Sequence, residues 1–142
     1  MKTYFAAYLF TLVAFLVIDF IWLSTMASRL YRPAIGDLLA ENFRLAPAVI
    51  FYLIYAAGLT FLAVRPAFQT GEWTTALLYG AVVGFMAYAT YDLTNQATLK
   101  SWSTTLTVAD LLWGTFVSAT AATIGYLMTV RLIGPLENPT GL

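Results

Sequence analysis

Four apolar runs, at about 4–27, 47–64, 74–93 and 104–130, dictate what this chain can fold into. A helix needs roughly 20 residues to cross a bilayer, and only the second run falls short before extension at its ends. In lipid, helices and closed barrels alone satisfy every backbone N–H and C=O, and these runs lack the short alternation of barrel strands. The expected architecture is an all-α integral membrane four-helix bundle, with residues 1–142 forming a single transmembrane domain. Both termini then share one side with the second loop, and the first and third loops share the other.

The first run follows Lys2 and has the look of a signal peptide. Its length, and Asp19 in its middle, read instead as a retained helix. After it, "SRLYRPAIGDLLAENFRLAP" places Pro33 where a first helical turn would take it. Ile35, Leu38, Leu39 and Phe43 recur there at helical spacing opposite Asp37 and Glu41, so a short interfacial helix is expected. The terminal "GPLENPTGL" reads as a disordered tail. Lys2, Arg65 and Arg131 on one side balance Arg29, Arg32, Arg44 and Lys100 on the other, so the positive-inside rule does not orient the bundle.

Composition removes whole classes of chemistry. The chain has no Cys, which excludes disulfides, thiolate nucleophiles and covalent haem attachment. It has no His, the commonest general base and metal ligand. Its net charge is zero, so no electrostatic case for nucleic acid exists. Chemistry must run on carboxylates, hydroxyls, amides, Lys or Arg, and no cofactor signature is present.

Against this background the stretch "YATYDLTNQATLKSW" stands out, because Asp92 lies inside an apolar run and Thr94, Asn95, Gln96 and Thr98 follow it. The third helix runs toward the first and third loops, which puts Asp92 near that surface. Asp110 comes about two turns into the fourth helix, or roughly 9 Å from the same surface at 1.5 Å per residue. Asp19 lies about two turns before the end of the first helix. Three carboxylates therefore share one half of the membrane, and the opposite half has none.

Helical phase sharpens the grouping. Gly80, Gly84, Tyr88 and Asp92 share one face, as do Asp110, Gly114, Ser118 and Ala122. Small residues at four-residue spacing let membrane helices approach closely, so these faces are expected to pack and bring Asp92 to Asp110. The first and fourth helices also carry "DFIW" and "DLLW", pairing Asp19 with Trp22 and Asp110 with Trp113 on shared faces. Four matching residues in an aromatic-rich chain read as chance recurrence rather than an inverted repeat.

A carboxylate in hydrocarbon costs about 2.5–3.5 kcal/mol on insertion scales. No Lys or Arg lies at matching depth. The carboxylates must then be protonated, hydrogen-bonded to Tyr, Trp or Thr, wetted, or bound to a cation. The candidate ligand-binding set is Asp19, Asp92, Asp110, Tyr88, Asn95, Gln96, Trp22 and Trp113. The blander reading makes the aspartates interhelical glue and Thr94, Asn95, Gln96 and Thr98 a polar helix end. Indoles such as Trp22 and Trp113 are more often packing or interface residues, and Tyr52, Tyr55 and Tyr126 carry no signal beyond aromatic packing.

With "DFIWL", "YDLTNQATLKSW" and "VADLLWG" in place, the chain resembles the domain of unknown function 2177 family of small four-helix bacterial inner-membrane proteins. The resemblance covers nearly the whole chain and implies that location; it carries no activity and no catalytic residue. Three functions stay open. A membrane-embedded binding protein would take a small ligand, cation or proton at the carboxylates. An accessory subunit would assemble with a second copy or a larger membrane complex. An enzyme on a lipid or other hydrophobic substrate would need a groove leading to the aspartates.

Overall fold

The computed structural model describes residues 1–134, so all but the first residue of the tail expected from Gly134 lies outside the described residues. Helix α1 (Lys2–Met26) runs into a widened π turn (Ala27–Tyr31), then α2 (Arg32–Ile35) and a 3-10 turn (Gly36–Leu38). Helix α3 (Leu45–Leu59) likewise passes through a π turn (Thr60–Val64) into α4 (Arg65–Thr70). Helices α5 (Trp73–Thr98) and α6 (Thr104–Leu132) follow. Four continuous helical rods result, Lys2–Leu38, Leu45–Thr70, Trp73–Thr98 and Thr104–Leu132, each long and apolar enough to cross a membrane. The protein is an all-α membrane bundle.

The two π turns have one cause. Each stops one residue short of a proline, at Arg32-Pro33 and Arg65-Pro66. A proline ring clashes with the carbonyl four residues back and offers no N–H. Widening the preceding turn gives the ring room, and Arg32 N–H bonds to the Ala27 carbonyl while Arg65 N–H bonds to that of Thr60. The rods therefore continue through both prolines. The helix expected after the first span is an extension of α1 rather than a separate element, and Leu39–Phe43 are not helical. At 37 residues the first rod spans about 55 Å, against a hydrocarbon core of about 30 Å, so its extension emerges. The second rod runs past 64 to Thr70, with Arg65 held 5.0 Å over the Phe61 ring. Gly71, at φ 73°, supplies the left-handed residue that turns the chain into α5.

Helix α6 is central, with twelve buried residues against four on α1. It packs along α5 through the small faces read in the sequence: Gly80 lies under Ser118 and Ala122, Gly84 under Gly114 and Ser118, and the Tyr88 ring lies on Gly114. On its other flank α6 meets α1, where Thr11 lies on Gly125. At the Gly71 end the core is built of Ala7, Ala63, Val64, Ala67, Ala76 and Ala122, capped by Tyr126. Larger residues, Phe15, Leu59 and Val117, fill the middle. The second and third rods pack through Thr60–Val64 and α4, whereas α3 has no comparable contact with α5. These two rods meet at the Gly71 turn and part toward the aspartates.

Candidate functional site

The first and last helices build the site together. Asp19 on α1, 6% exposed, accepts two hydrogen bonds: from Tyr52 Oη to Oδ2 at 2.6 Å and from Trp113 Nε1 to Oδ1 at 3.0 Å. Asp110 on α6, 5% exposed, accepts from Tyr31 Oη at 2.7 Å, and Tyr31 Oη in turn accepts from Trp22 Nε1 at 3.0 Å. The two indoles stack with ring centroids 4.3 Å apart and planes 7° from parallel. The "DFIW" and "DLLW" pairs are thus cross-wired. Trp113 serves the aspartate of the first helix directly, and Trp22 serves that of the fourth through Tyr31. Antiparallel helices make this possible, because each indole is displaced along its helix toward the partner's carboxylate.

Tyr31 reaches this network from the emerging extension. Cβ bonds tilt toward the helix N-terminus, so its ring points back along the rod. At 100° per residue, a regular helix would place Tyr31 about 120° around from Asp19. The π turn absorbs one residue and reduces the offset to about 20°, which returns Tyr31 to the aspartate face.

Asp92 stands apart in kind. It is fully buried and neither of its oxygens has a hydrogen-bond partner. It sits one turn beyond Tyr88, whose ring lies on Gly114, and so faces Asp110, one turn before Gly114 on the antiparallel α6. The packing of α5 on α6 expected from the glycine faces is what brings the two together.

Beside these groups lies a cleft of about 360 Å³. Asp19, Asp110, Tyr31, Tyr88 and Trp113 line it, with Phe51 and Tyr91 on the sides where the second and third rods part. Among the described residues, no Lys or Arg lines it. Among the described residues no three carboxylates come close enough to hold a metal ion.

Four of the eight residues singled out from the sequence therefore face the cleft: Asp19, Asp110, Tyr88 and Trp113. Trp22 lies one layer out, stacked on Trp113. Asp92 lies behind Asp110 and does not line the cleft. Asn95 is half-buried beside Tyr91, and Gln96 donates to Thr104 Oγ1 at 3.0 Å, tying the start of α6 to the end of α5. Neither lines the cleft, because by then α5 has passed beyond it.

Two tyrosines read as plain packing prove to be polar partners. Tyr52 bonds Asp19, and Tyr55 shares a 2.7 Å hydrogen bond with Ser118. Tyr31 was not singled out at all. Its signal in the sequence is Pro33, two residues on, which forces the phase change in the turn before it.

A family described as a predicted membrane protein, DUF2177, matches residues 4–127, from the first turn of α1 almost to the end of α6. No curated protein and no solved structure matches the chain. The match takes in every residue of the carboxylate network, and the chain belongs to the DUF2177 family of membrane proteins.

Proposed function

We propose that the protein is a membrane-embedded binding protein whose cleft takes an organic cation, an ammonium group carried on an apolar body. The observation that carries this reading is the lining: two buried carboxylates among aromatic rings, with no basic residue among the described ones. A cation over a desolvated aromatic face gains about 2 kcal/mol or more, and quaternary ammonium groups are bound in such cages. Bare metal ions fit poorly, since Ca²⁺ takes 6–8 oxygen ligands and Mg²⁺ demands octahedral geometry. The volume, about 360 Å³, lies at the small end of ligand pockets. The parting of the second and third rods gives an apolar tail a way toward lipid.

The accessory-subunit alternative would be favoured by a small-residue stripe left facing lipid. Gly80, Gly84, Gly114 and Gly125 are instead all consumed by contacts within the chain. In this reading residues 1–142 act as one transmembrane unit in a bacterial inner membrane.

The test uses benzyltrimethylammonium and its uncharged isostere neopentylbenzene, with tryptophan fluorescence of the detergent-solubilised protein as readout. The cation is expected to bind and the isostere not to, and Asp110→Asn is expected to weaken cation binding at least tenfold, about 1.4 kcal/mol. Equal binding of both probes would make the cleft merely apolar. Binding of neither would return the accessory-subunit reading to the lead.

A further inference from the structure

We propose that Asp92 and Asp110 hold one proton between them, and that a cation entering the cleft releases it. The second half rests on the organic-cation reading above; the first stands without it.

The argument begins with an accounting of donors. Asp92 is 0% exposed and both of its oxygens lack a partner. Buried polar atoms in folded proteins are almost always paired, because each bare acceptor costs about 1–3 kcal/mol. The groups facing this region come from every packed element: Asp19 and Tyr31 from the first rod, Tyr52 from α3, Tyr88 and Tyr91 from α5, and Asp110 from α6. None is a Lys or Arg. The Tyr52 proton is committed to Asp19 and that of Tyr31 to Asp110. No hydroxyl or N–H, those of Tyr88 and Tyr91 included, bonds Asp92, and the polar group set opposite it across the α5–α6 seam is the carboxyl of Asp110.

Two bare carboxylates facing each other in the bundle repel, and neither satisfies the other. One proton converts the pair into an O–H···O⁻ hydrogen bond, roughly twice as strong as a neutral one. Asp110 is the hinge of the arrangement. It belongs both to this pair and to the cleft lining, so charge placed in the cleft acts on the proton directly.

The exchange balances simply. Before binding, the pair carries one proton and one negative charge. An ammonium ion enters, the shared O–H bond breaks, and the proton leaves to water. The pair then carries two negative charges, one offset by the bound cation. No electron moves, and the net charge of the site is unchanged. The cleft so read is a proton–cation exchange site.

Infrared spectroscopy of protein carrying ¹³C-labelled aspartate reads the first half. A carboxylic C=O band that shifts with the label and with D₂O is expected near neutral pH in wild type, and absent in Asp92→Asn. Should that variant not fold, titration of the wild-type band to high pH replaces it: the band must give way to a carboxylate band. Absence of the band in wild type at neutral pH overturns the shared proton, whatever the cleft binds.

Release is read by adding benzyltrimethylammonium to weakly buffered protein with a pH indicator, and about one proton per bound cation is expected. Binding without release overturns the exchange and leaves the organic-cation reading intact. A band with no cation binding at all upholds the shared proton and overturns both the exchange and the organic-cation reading.

Discussion

The aspartates of α1 and α6 are each held by an aromatic side chain from a distant part of the chain, and that fixes what single substitutions should do. Tyr52→Phe removes one of the two donors to Asp19 and leaves Oδ2 bare in the bundle. Interhelical hydrogen bonds in membranes average about 0.6 kcal/mol and reach about 1.7. A loss in that range is expected from SDS-induced unfolding in mixed micelles. Tyr79→Phe, on an exposed tyrosine, is expected to change nothing measurable. Asp19 and Asp110 were legible in the sequence because depth alone makes an intramembrane carboxylate conspicuous. Their donors were not, because a tyrosine in a chain with nine of them is indistinguishable from packing until its helical phase is known.

Glycine spacing made the α5–α6 seam readable: the i+4 pattern at Gly80 and Gly84 depends on nothing outside those helices. A Cβ at Gly84 would lie 2.6 Å from the Ser118 side chain and would also meet the Gly114 carbonyl oxygen. Because a backbone carbonyl does not swing aside as a flexible side chain does, Gly84→Ala is expected to cost about 1–3 kcal/mol. A Cβ at Gly58 meets nothing within 4 Å. There Gly58→Ala is expected to stabilise by up to about 1 kcal/mol through helix propensity. The same unfolding assay separates the two, and equal effects would mean the seam is not where the close approach occurs. The π turns were harder to foresee. Proline ordinarily marks a helix boundary, and Pro33 reads as the first turn of a separate helix; only the structure shows that the rods continue through Pro33 and Pro66 and change phase.

For the molecule as a whole, four crossings put residue 2 and the Gly71 turn on one side, and the loops at 39–44 and 99–103 on the other. Because the chain has no cysteine, single introduced ones report cleanly. Lys2→Cys, Glu72→Cys, Arg44→Cys and Ser101→Cys all sit at exposed positions. In sealed vesicles, an impermeant maleimide is expected to label Lys2→Cys and Glu72→Cys from one face, and Arg44→Cys and Ser101→Cys from the opposite one. Any other pairing would contradict four crossings. Which face is cytoplasmic is what the balanced Lys and Arg count withheld, and the same labelling supplies it.

The closing of the network by the first and last helices also sets a clock. Asp19 is synthesised 33 residues before Tyr52 and 94 before Trp113. At about 5–20 residues per second, roughly 5–20 seconds pass between the aspartate and its second donor. At the same rate Tyr52 follows within roughly 2–7 seconds, so for the rest of the interval Asp19 has one of its two donors. The first carboxylate of the bundle is therefore fully met only once α6 has been made, so the last helix completes the environment of the first.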